Sequence, residues 1–520
     1  MRLAQIARVA ANILNRFCSR ARSHPQLRDW RIMRKLNSGS VTANHRGVLG
    51  MAGRARMASF ASFCSIAVVF GIMGLFVSEV CADTHTSGTP QLSSLPGATY
   101  TIYLDFSGFN FTGTWGSSGD TPGNTPAFEN AANTGTFSTS QQDDIKAVWA
   151  RVAQCYTPFN VNVTTIDPAV AASKADTDAH RQAYYDQTAK LMHTVIGPQQ
   201  NSWCGGYGGI SYVGVSQSSE ITSIYNSGAG AGWKTNWGFT DGVGTGVACG
   251  QAAAHENGHG LSLDHQADFT GTTYVNEYST GNAETGNTGN GSYAPIMGAA
   301  YYTQRGAWRL GDDSGGGTQN DVTKLINNNS GMGGYINDGI GHTTATATAL
   351  PLTGNSVNYA AAKGIITPTS TSSPTPIGVS NYTTDYFSFH SAGGAVTLTV
   401  YDGTEYLTSG TQDPGAMLRS TLTILNASGA VVGTATEAAS TLSETFSGTL
   451  AAGTYYAKIA SYGGETQTLG SYNTTYYYDM GSYFIKGSGL TVPEPGTLAL
   501  LASVVCFGLA IRRRARARGK

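Results

Sequence analysis

Residues 255–265 read HENGHGLSLDH, which places three histidines and a glutamate in the spacing H-E-x-x-H-x-x-x-x-x-H. His255 and His259 are four residues apart, so on a helix both side chains project from one face and can bind one metal ion. His265 follows six residues later and can return as a third ligand from outside the helix. Glu256 stands beside the first ligand, where its carboxylate can act as a general base on a water molecule at the metal. The spacing predicts a catalytic zinc site with one open coordination position.

The end of this predicted helix contains two glycines. Gly258 and Gly260 weaken the helix and let the chain turn back toward the metal. The whole stretch resembles the zinc signature of the metzincin metallopeptidases, H-E-x-x-H-x-x-G-x-x-H. The resemblance implies that the three histidines bind one zinc ion and that the glutamate is the general base. Ser262 stands where the family has glycine, and a residue with a Cβ adopts that backbone bend at some cost.

A second feature of the same family follows at residues 294–298, which read APIMG. This stretch resembles the Met-turn, in which a methionine forms an apolar floor beneath the histidines without binding the metal; Met297 takes that place. The alternative is an ordinary buried methionine before a turn. Some metzincins carry a tyrosine two residues after this methionine, where this chain has Ala299. That role is therefore not transferred to Tyr301 or Tyr302, although either ring can line the cleft.

The N-terminal end of the chain has the pattern of a targeting segment. Its first 56 residues contain twelve Lys or Arg and one acidic residue, and an apolar run at 63–77 and the small-residue sequence VCA at 80–82 follow. This pattern predicts a basic leader and secretory signal over residues 1–82, with cleavage after Ala82, and a short linker over residues 83–96. The leader is long, so a start at Met51 or Met57 is an alternative. A retained anchor is another, for which the apolar run is short.

The C-terminal end combines VPEPG at 492–496, an apolar run at 497–511 and the tail RRRARARGK. Together, residues 491–520 resemble the PEP-CTERM sorting signal that exosortase enzymes process in Gram-negative bacteria. The resemblance implies an exosortase-type partner and an exported protein, at the cell surface or outside the cell, that is transiently anchored in the inner membrane. The arginine cluster would hold the tail on the cytoplasmic side. A plain C-terminal transmembrane anchor is the alternative and has the same topology.

Without these two ends, the chain keeps 13 basic against 29 acidic side chains, a net charge of about −16. Such a surface repels nucleic acid and anionic lipid. We therefore expect no nucleic-acid partner and membrane contact only through the terminal segments. We also expect the protein to be a monomer.

Three of the seven cysteines lie between the targeting ends. Cys249 precedes the first zinc histidine by six residues, and Cys204 precedes a predicted strand beside the cleft. A Cys204–Cys249 disulfide that anchors the zinc helix is therefore the favoured pairing, with Cys155 as a buried free thiol. A Cys155–Cys204 disulfide is the alternative.

Residues 97–335 alternate between strand and helix patterns. Strands are predicted at 98–106, 159–166, 190–196 and 209–216, and helices at 138–155 and 177–189. This order is similar to the metzincin N-terminal subdomain and implies an α+β catalytic domain, with a mixed twisted sheet and an active-site helix. In that family the last strand borders the cleft and pairs with extended substrate. Carried over here, the candidates for backbone pairing with a peptide are Ile210, Ser211, Tyr212 and Val213. An ordinary sheet strand is the alternative.

Other polar residues of this region are interpreted more plainly. His193 falls in a predicted strand and is expected to be an ordinary core or edge histidine. Asp312 and Asp313 can bind calcium, but no ordered spacing of further oxygen ligands supports such a site, so they are interpreted as loop carboxylates.

From about residue 338 the pattern changes to short alternating strands, predicted at 385–390, 396–400, 420–425 and 453–459. This pattern predicts an all-β sandwich domain over residues 338–488. The segments TTDYFSF, STLTILNASGAVVGTA, LAAGTYYAKI and DMGSYFI resemble bacterial pre-peptidase C-terminal domains, which are appended to secreted peptidases. No catalytic constellation is visible in this region, so it is either a polysaccharide-binding or matrix-binding module or an inert spacer.

Taken together, these patterns predict a secreted zinc metalloendopeptidase that hydrolyses peptide bonds by a zinc-activated water with Glu256 as general base. The competing class is a catalytically silent cell-surface or matrix adhesion protein built on a metzincin-like scaffold. The intact glutamate favours the enzyme, whereas Ser262 and the missing tyrosine favour the silent protein.

Overall fold

The structure is a computed structural model of the 520-residue chain. It describes residues 85–491 except 117, 130–131, 133–134, 200–202, 217–231, 284–291, 328–331, 333, 373–374, 407–409, 438–440 and 470–472. The predicted leader and signal at 1–82 lie outside the described residues, as does the predicted sorting signal at 491–520 except for Thr491. Within the described residues, no helix has the length and apolar character needed to cross a membrane.

The N-terminal part (residues 85–335) is built on a five-stranded mixed sheet. Its first seven strands are β1 (Tyr100–Asp105), β2 (Phe109–Phe111), β3 (Gly123–Thr125), β4 (Val161–Thr164), β5 (Leu191–Gly197), β6 (Gly209–Ile210) and β7 (Thr235–Phe239). The sheet has the order β4-β1-β5-β7-β6, and β2 and β3 form a separate hairpin. The first four strands in that order are parallel, and β6 runs antiparallel to β7 at the edge. The short antiparallel edge strand therefore borders the sheet where the site is built.

Among the described residues, five helices accompany this sheet: α1 (Thr139–Tyr156), α2 (Pro168–Ala171), α3 (Asp178–Gln187), α4 (Thr240–Val243) and α5 (Val247–Gly260). The predicted start of α1 is confirmed, because Ser138 and Gln141 form a reciprocal capping box. Helix α1 packs closely on α5 at Gly250, where an added Cβ would lie 2.7 Å from the Val148 carbonyl oxygen. The Tyr156 hydroxyl donates to the Ala254 carbonyl at 2.8 Å. Helix α5 is thus held in the core by α1.

The remaining elements of the N-terminal part are short and follow the zinc helix. They are β8 (Asp268–Thr270), β9 (Thr273–Asn276), β10 (Asn282–Ala283), β11 (Ser292–Pro295), a 3₁₀ turn (Ala300–Tyr302), β12 (Arg305–Ala307), β13 (Arg309–Asp312), β14 (Thr318–Asn320) and α6 (Asp321–Asn327). Strands β10, β11 and β12 form a small sheet beneath the site, with the turn around Met297 between β11 and β12.

The C-terminal part (residues 338–491) contains a large sandwich-like β-sheet. Its strands are β15 (Thr348–Ala349), β16 (Leu352–Thr353), β17 (Ser356–Val357), β18 (Lys363–Ile366), β19 (Thr384–Asp402), β20 (Glu405–Tyr406), β21 (Thr411–Gln412), β22 (Ser420–Asn426), β23 (Val431–Thr436), β24 (Ser443–Ser461), β25 (Glu465–Leu469), β26 (Asn473–Tyr477) and β27 (Gly481–Ser488), with a 3₁₀ turn at Val379–Asn381. The main path is β16-β17-β27-β19-β24-β22-β23. The predicted strands at 385–390 and 396–400 are two halves of β19, joined through Gly393 and Gly394, which have positive φ.

The two parts share a sheet and a core. Strand β13 of the N-terminal part pairs antiparallel with β26 of the C-terminal part, in the order β14-β13-β26-β25. The buried Arg305 of β12 also reaches across, and its guanidinium lies 3.1 Å from Asp402 and 2.6 Å from Glu437. All described residues belong to one compact unit. The sandwich is therefore packed against the region that carries the histidines.

Candidate metal centre

The three histidines of the sequence motif meet at one point. Helix α5 carries His255 and His259, and His265 returns from the segment after the helix. The Nε2 atoms of His255 and His259 are 3.1 Å apart. One ligand atom from each of the three rings lies within 4.8 Å of the others, and all three residues are buried. Among the described residues, this is the one group of three or more His, Cys, Asp or Glu that can hold a metal ion.

The other ring nitrogen of each histidine is anchored by an acceptor. The Nδ1 atoms of His255 and His259 lie 2.8 Å from the Ile296 carbonyl oxygen and 2.7 Å from the Leu263 carbonyl oxygen. The Nδ1 atom of His265 lies 2.8 Å from Oε1 of Glu277. These acceptors place the ring proton on Nδ1, so the Nε2 lone pairs face one another and repel unless a cation lies between them.

This donor set fits a zinc ion. Tetrahedral zinc with bonds of about 2.0–2.1 Å to nitrogen holds two ligand nitrogens about 3.3–3.4 Å apart, close to the observed separation of the Nε2 atoms. Imidazole ligands whose second nitrogen donates to a carbonyl or carboxylate are the usual arrangement around bound metals. Imidazole ligands also bind copper, iron and nickel. The three histidines therefore indicate a transition metal of this class, of which zinc is one member.

Burial keeps two of these imidazoles neutral. It lowers the pKa of His255 to about 3, with a further decrease from His265. It lowers the pKa of His259 well below its ordinary value, and the two neighbouring histidines act in the same direction. A neutral imidazole is the form that binds a metal. The protein therefore presents these nitrogens as ligands without first removing a proton.

Glu256 belongs to helix α5, and its carboxylate lies against Gly209 of the edge strand β6. A Cβ on Gly209 would be 2.6 Å from its Oε1 atom, so a glycine is required there for the carboxylate to fit. The side chain is 6% exposed, and burial raises its pKa well above the ordinary value. A cation nearby acts in the opposite direction and favours the carboxylate. A carboxyl group with these two opposing influences is suited to accept and return a proton near neutral pH.

Met297 lies directly beneath the zinc helix. It is fully buried, and a Cβ on Gly258 would collide with its sulfur atom. A Cβ on Gly260 would collide in the same way with Met192. Helix α5 continues through Gly258 and ends at Gly260, after which the chain turns as predicted. Glycine fits at these two positions because the side chains of Met297 and Met192 pack directly against the helix backbone there.

The turn that brings the third histidine back occurs at Ser262. This residue has a φ of 77°, in the left-handed region that favours glycine. Its backbone N–H donates to the His259 carbonyl at 2.8 Å, and the next N–H, of Leu263, donates to the Gly258 carbonyl at 3.0 Å. The expectation of a strained bend at this position is confirmed. The bend directs the Leu263 carbonyl toward the His259 ring.

The predicted substrate strand is mostly not a strand. Of its candidates, only Ile210 belongs to β6, whereas Ser211, Tyr212 and Val213 lie beyond its end. The chain leaves the sheet there because it wraps around the end of α5, where Gly214 N–H donates to the His259 carbonyl at 2.8 Å. The Tyr212 ring packs instead against Trp115 and Trp233, with centroids 4.4 and 4.5 Å apart.

The predicted disulfide is not formed. Cys155, Cys204 and Cys249 are all free thiols, which also excludes the alternative Cys155–Cys204 bridge in this structure. Cys155 and Cys249 are buried in the main hydrophobic core, whereas Cys204 packs at the margin of the separate aromatic cluster around Trp237. The helix is anchored by packing against α1, so no covalent link is needed to hold it.

The sequence analysis did not predict that Glu277 and Tyr278 contact the third histidine of the candidate metal centre. Glu277 anchors His265, and the Tyr278 ring lies 4.3 Å from the His265 ring centroid. Tyr301 also lies near this site. Burial raises the pKa of both tyrosines, with a further increase from Glu277 for Tyr278 and from Glu256 for Tyr301. Both hydroxyls therefore keep their protons as donors. No spacing rule predicts Glu277 and Tyr278 from the sequence. The available signal is an acidic residue followed by an aromatic one, between the third histidine and the predicted Met-turn.

The remaining candidates have local roles. His193 is fully buried, as expected of a core histidine, and contacts Thr235 at 3.2 Å and Asp105 at 3.4 Å. The Asp313 carboxylate accepts from the backbone N–H groups of Gly315 and Gly317, at 2.9 and 3.0 Å. It therefore stabilises its own loop.

Comparisons with known proteins add little. No family model matches this chain, and no curated protein matches it either. A solved structure that it is similar to is the pre-peptidase C-terminal domain of a collagenase from Bacillus anthracis, with 15% identity, 24% of this chain covered, 84% of that chain covered and a TM-score of 0.13. A likeness this distant supports no conclusion about this chain. The structure itself has a mixed α/β part and, in its C-terminal part, a large sandwich-like sheet.

Proposed function

We propose that this protein is a zinc-dependent endopeptidase of the metzincin type, exported from the cell and released or displayed through its C-terminal signal. The observation that supports this most is the convergence of three buried, anchored imidazoles with a buried carboxylate on the same helix. A purely structural zinc site is closed by four protein ligands. Here three ligands meet, and Glu256 lies one residue from the first of them.

The chemistry divides between the metal and the side chains. Bound zinc would supply a Lewis acid that can lower the pKa of water to about 7 and polarise a peptide carbonyl. Glu256 takes a proton from the attacking water and later delivers it to the departing amine. Tyr278 and Tyr301 keep their hydroxyl protons and can donate hydrogen bonds to the negative charge that develops on the carbonyl oxygen. Glu277 holds the third ligand in orientation.

The edge strand supports a peptide as the substrate. Strand β6 (Gly209–Ile210) is short and borders the sheet beside Glu256, and a strand edge can pair with an extended chain through backbone hydrogen bonds. A small amide would use none of these groups. This favours protein or peptide substrates.

The test is a pair of substitutions in the full chain, with zinc content and cleavage of casein or gelatin measured for each. Glu256→Gln should keep stoichiometric zinc and lose about 10²–10⁴ in turnover, because the general base is removed and the ligands remain. His259→Ala should lose both zinc and turnover. A chelator should abolish activity, and added zinc should restore it.

The outcomes separate the proposal from its competitor. Unchanged turnover in Glu256→Gln contradicts the assignment of the general base. Stoichiometric zinc in a wild-type protein that cleaves neither casein, gelatin nor a peptide library contradicts the peptidase and supports the silent adhesion protein.

A further inference from the structure

Strand β12 lies between the candidate metal centre and the sandwich part. It pairs in parallel with β11 along the three residues that precede Ile296. One further backbone bond extends this ladder, from the Ile296 N–H to the Ala307 carbonyl at 2.9 Å. The carbonyl oxygen of Ile296 then lies 2.8 Å from the Nδ1 atom of His255. The position of β12 therefore sets the position of the group that orients this ring.

The sandwich part holds β12 through Arg305, which is fully buried. Its guanidinium donates to the Asp402 carboxylate at 3.1 Å, to the Glu437 carboxylate at 2.6 Å and to the Leu418 carbonyl. Asp402 is itself fixed, because the backbone N–H and the hydroxyl of Ser420 donate to it at 3.2 and 2.6 Å. Moving a buried arginine away from two carboxylates leaves buried charges unpaired, which is strongly unfavourable. These contacts therefore fix β12 against the sandwich.

The sheet of β10, β11 and β12 is too small to hold its own position. Its strands contain two, four and three residues, and sheets this small need packing against another element to be stable. The sandwich provides that packing. Tyr293 of β11 and Ala307 of β12 form a buried cluster with Tyr477 of β26, and the ring centroids of the two tyrosines are 5.6 Å apart.

The segment that carries the third histidine has a similar connection. The backbone N–H of Ala267, two residues after His265, donates to the Asp312 carbonyl of β13 at 2.8 Å. Strand β13 in turn pairs with β26 of the sandwich. His259, in contrast, is anchored by the Leu263 carbonyl next to the end of its own helix. Two of the three histidines are therefore connected to the sandwich through one intervening strand.

We propose that the sandwich is a permanent part of the metal centre, in which Asp402 and Glu437 are positioning residues. They hold Arg305 of β12, and β12 holds the Ile296 carbonyl that orients His255. This inference deepens the proposed function and rests on its metal centre, whichever bond is hydrolysed. Substitutions in a spacer or in a remote binding module would leave the zinc affinity unchanged. Substitutions of these sandwich residues should reduce it.

The experiment measures the zinc Kd of the full chain by competition with a chromophoric chelator, together with the visible absorption spectrum of the Co²⁺-substituted protein. Arg305→Lys keeps the charge but loses the planar fork that binds several acceptors, and it should raise the zinc Kd about tenfold. Glu437→Gln keeps a neutral acceptor beside Arg305 and should raise it about threefold. Both variants should also change the Co²⁺ spectrum, which reports the geometry of the ligands. Circular dichroism shows that each variant is folded at the assay temperature, and Glu437→Gln decides the test if Arg305→Lys is not.

Ile459→Ala is the matched control for a general loss of stability. Ile459 is fully buried in β24, a strand that pairs with β19 and β22 of the sandwich. Its truncation leaves a cavity in the sandwich and should lower the melting temperature at least as much as Glu437→Gln does. Its zinc Kd should stay within about twofold of wild type, because distant sites act independently.

The outcomes separate this inference from the proposed peptidase. A zinc Kd and a Co²⁺ spectrum that are unchanged in both Arg305→Lys and Glu437→Gln overturn the inference alone. An equal rise in zinc Kd in Ile459→Ala also overturns it, because the effect is then one of general stability. Zinc affinity that depends on Arg305 and Glu437, in a wild-type protein that cleaves no peptide, overturns the peptidase and retains the inference. A wild-type protein that binds no zinc overturns both.

Discussion

Glu277 offers the sharpest perturbation of the metal centre, because it is the one anchor of the three histidines that a substitution can remove. The other two anchors are the backbone carbonyls of Ile296 and Leu263. Glu277 accepts from His265 at 2.8 Å, and this hydrogen bond lowers the pKa of its carboxyl group. The carboxylate is therefore ionised at neutral pH. It orients the ring and would increase the basicity of the nitrogen that faces a metal ion bound at this centre.

The expected loss of zinc affinity depends on the hydrogen-bond acceptor that each substitution leaves beside His265. Removing such an anchor typically costs about 10–100-fold in metal affinity, equivalent to about 1.4–2.7 kcal/mol. Glu277→Gln keeps a neutral acceptor at the same place, so we expect the lower value, about tenfold. Glu277→Ala leaves the ring without an acceptor, and we expect a loss toward the upper value. The side chain of Glu277 is 30% exposed, so water can partly replace the lost oxygen and limits the loss.

The assay is a zinc titration in competition with a chromophoric chelator, at pH 7, on the folded full chain. Asp264→Asn is the matched control, because that carboxylate adjoins His265 in sequence but pairs with Lys324 at 3.2 Å. It should change zinc affinity less than twofold. A zinc Kd for Glu277→Ala within twofold of wild type would refute the reasoning that this carboxylate supports the third ligand.

Two further predictions concern stability. Ser262→Gly should raise the free energy of unfolding by about 0.5–1 kcal/mol in denaturant titrations. Glycine relieves the strain of the left-handed backbone, and this gain outweighs the greater entropy of the unfolded chain. Ser262→Ala keeps the strained Cβ, so an equal gain in that variant would contradict this cause. Burial raises the pKa of Asp385 to about 8, with Asp338 adding to the increase, while Tyr483 donates to the carboxyl group at 2.6 Å. The pKa of Asp385 is higher in the folded than in the unfolded chain, so the protonated carboxyl group stabilises the fold at low pH. This stabilisation is lost as the pH rises from about 4 to 8. Melting temperatures should therefore fall less between pH 5 and 8.5 in Asp385→Asn than in wild type, and parallel falls would exclude this carboxyl group as the cause.

The local patterns of the sequence predicted the elements whose determinants lie within one segment. Helix α1 begins at Thr139, within the predicted range of 138–155, and the three histidines converge as their spacing predicts. Strand β7 was missed, because TNWGF is short, contains glycine and asparagine, and is buried along its whole length, so it shows no alternation. Residues 211–213 were assigned to a strand on an alternating pattern, but contacts with the end of α5 direct them elsewhere.

The sequence by itself determined the arrangement of the candidate metal centre: a helical spacing that brings two imidazoles to one face, a carboxylate beside them and a bend at Ser262 that returns a third imidazole. Helical geometry repeats every 3.6 residues, so these relations are readable within eleven residues. Only the tertiary structure decided which groups anchor the rings, that Met192 packs against Gly260 of the helix, and which residues join the sandwich-like part to the N-terminal part. Those contacts join residues such as His255 and Ile296, or Gln154 and Asp413, that are far apart in the chain. Packing of the whole core brings them together, and no local period encodes that packing.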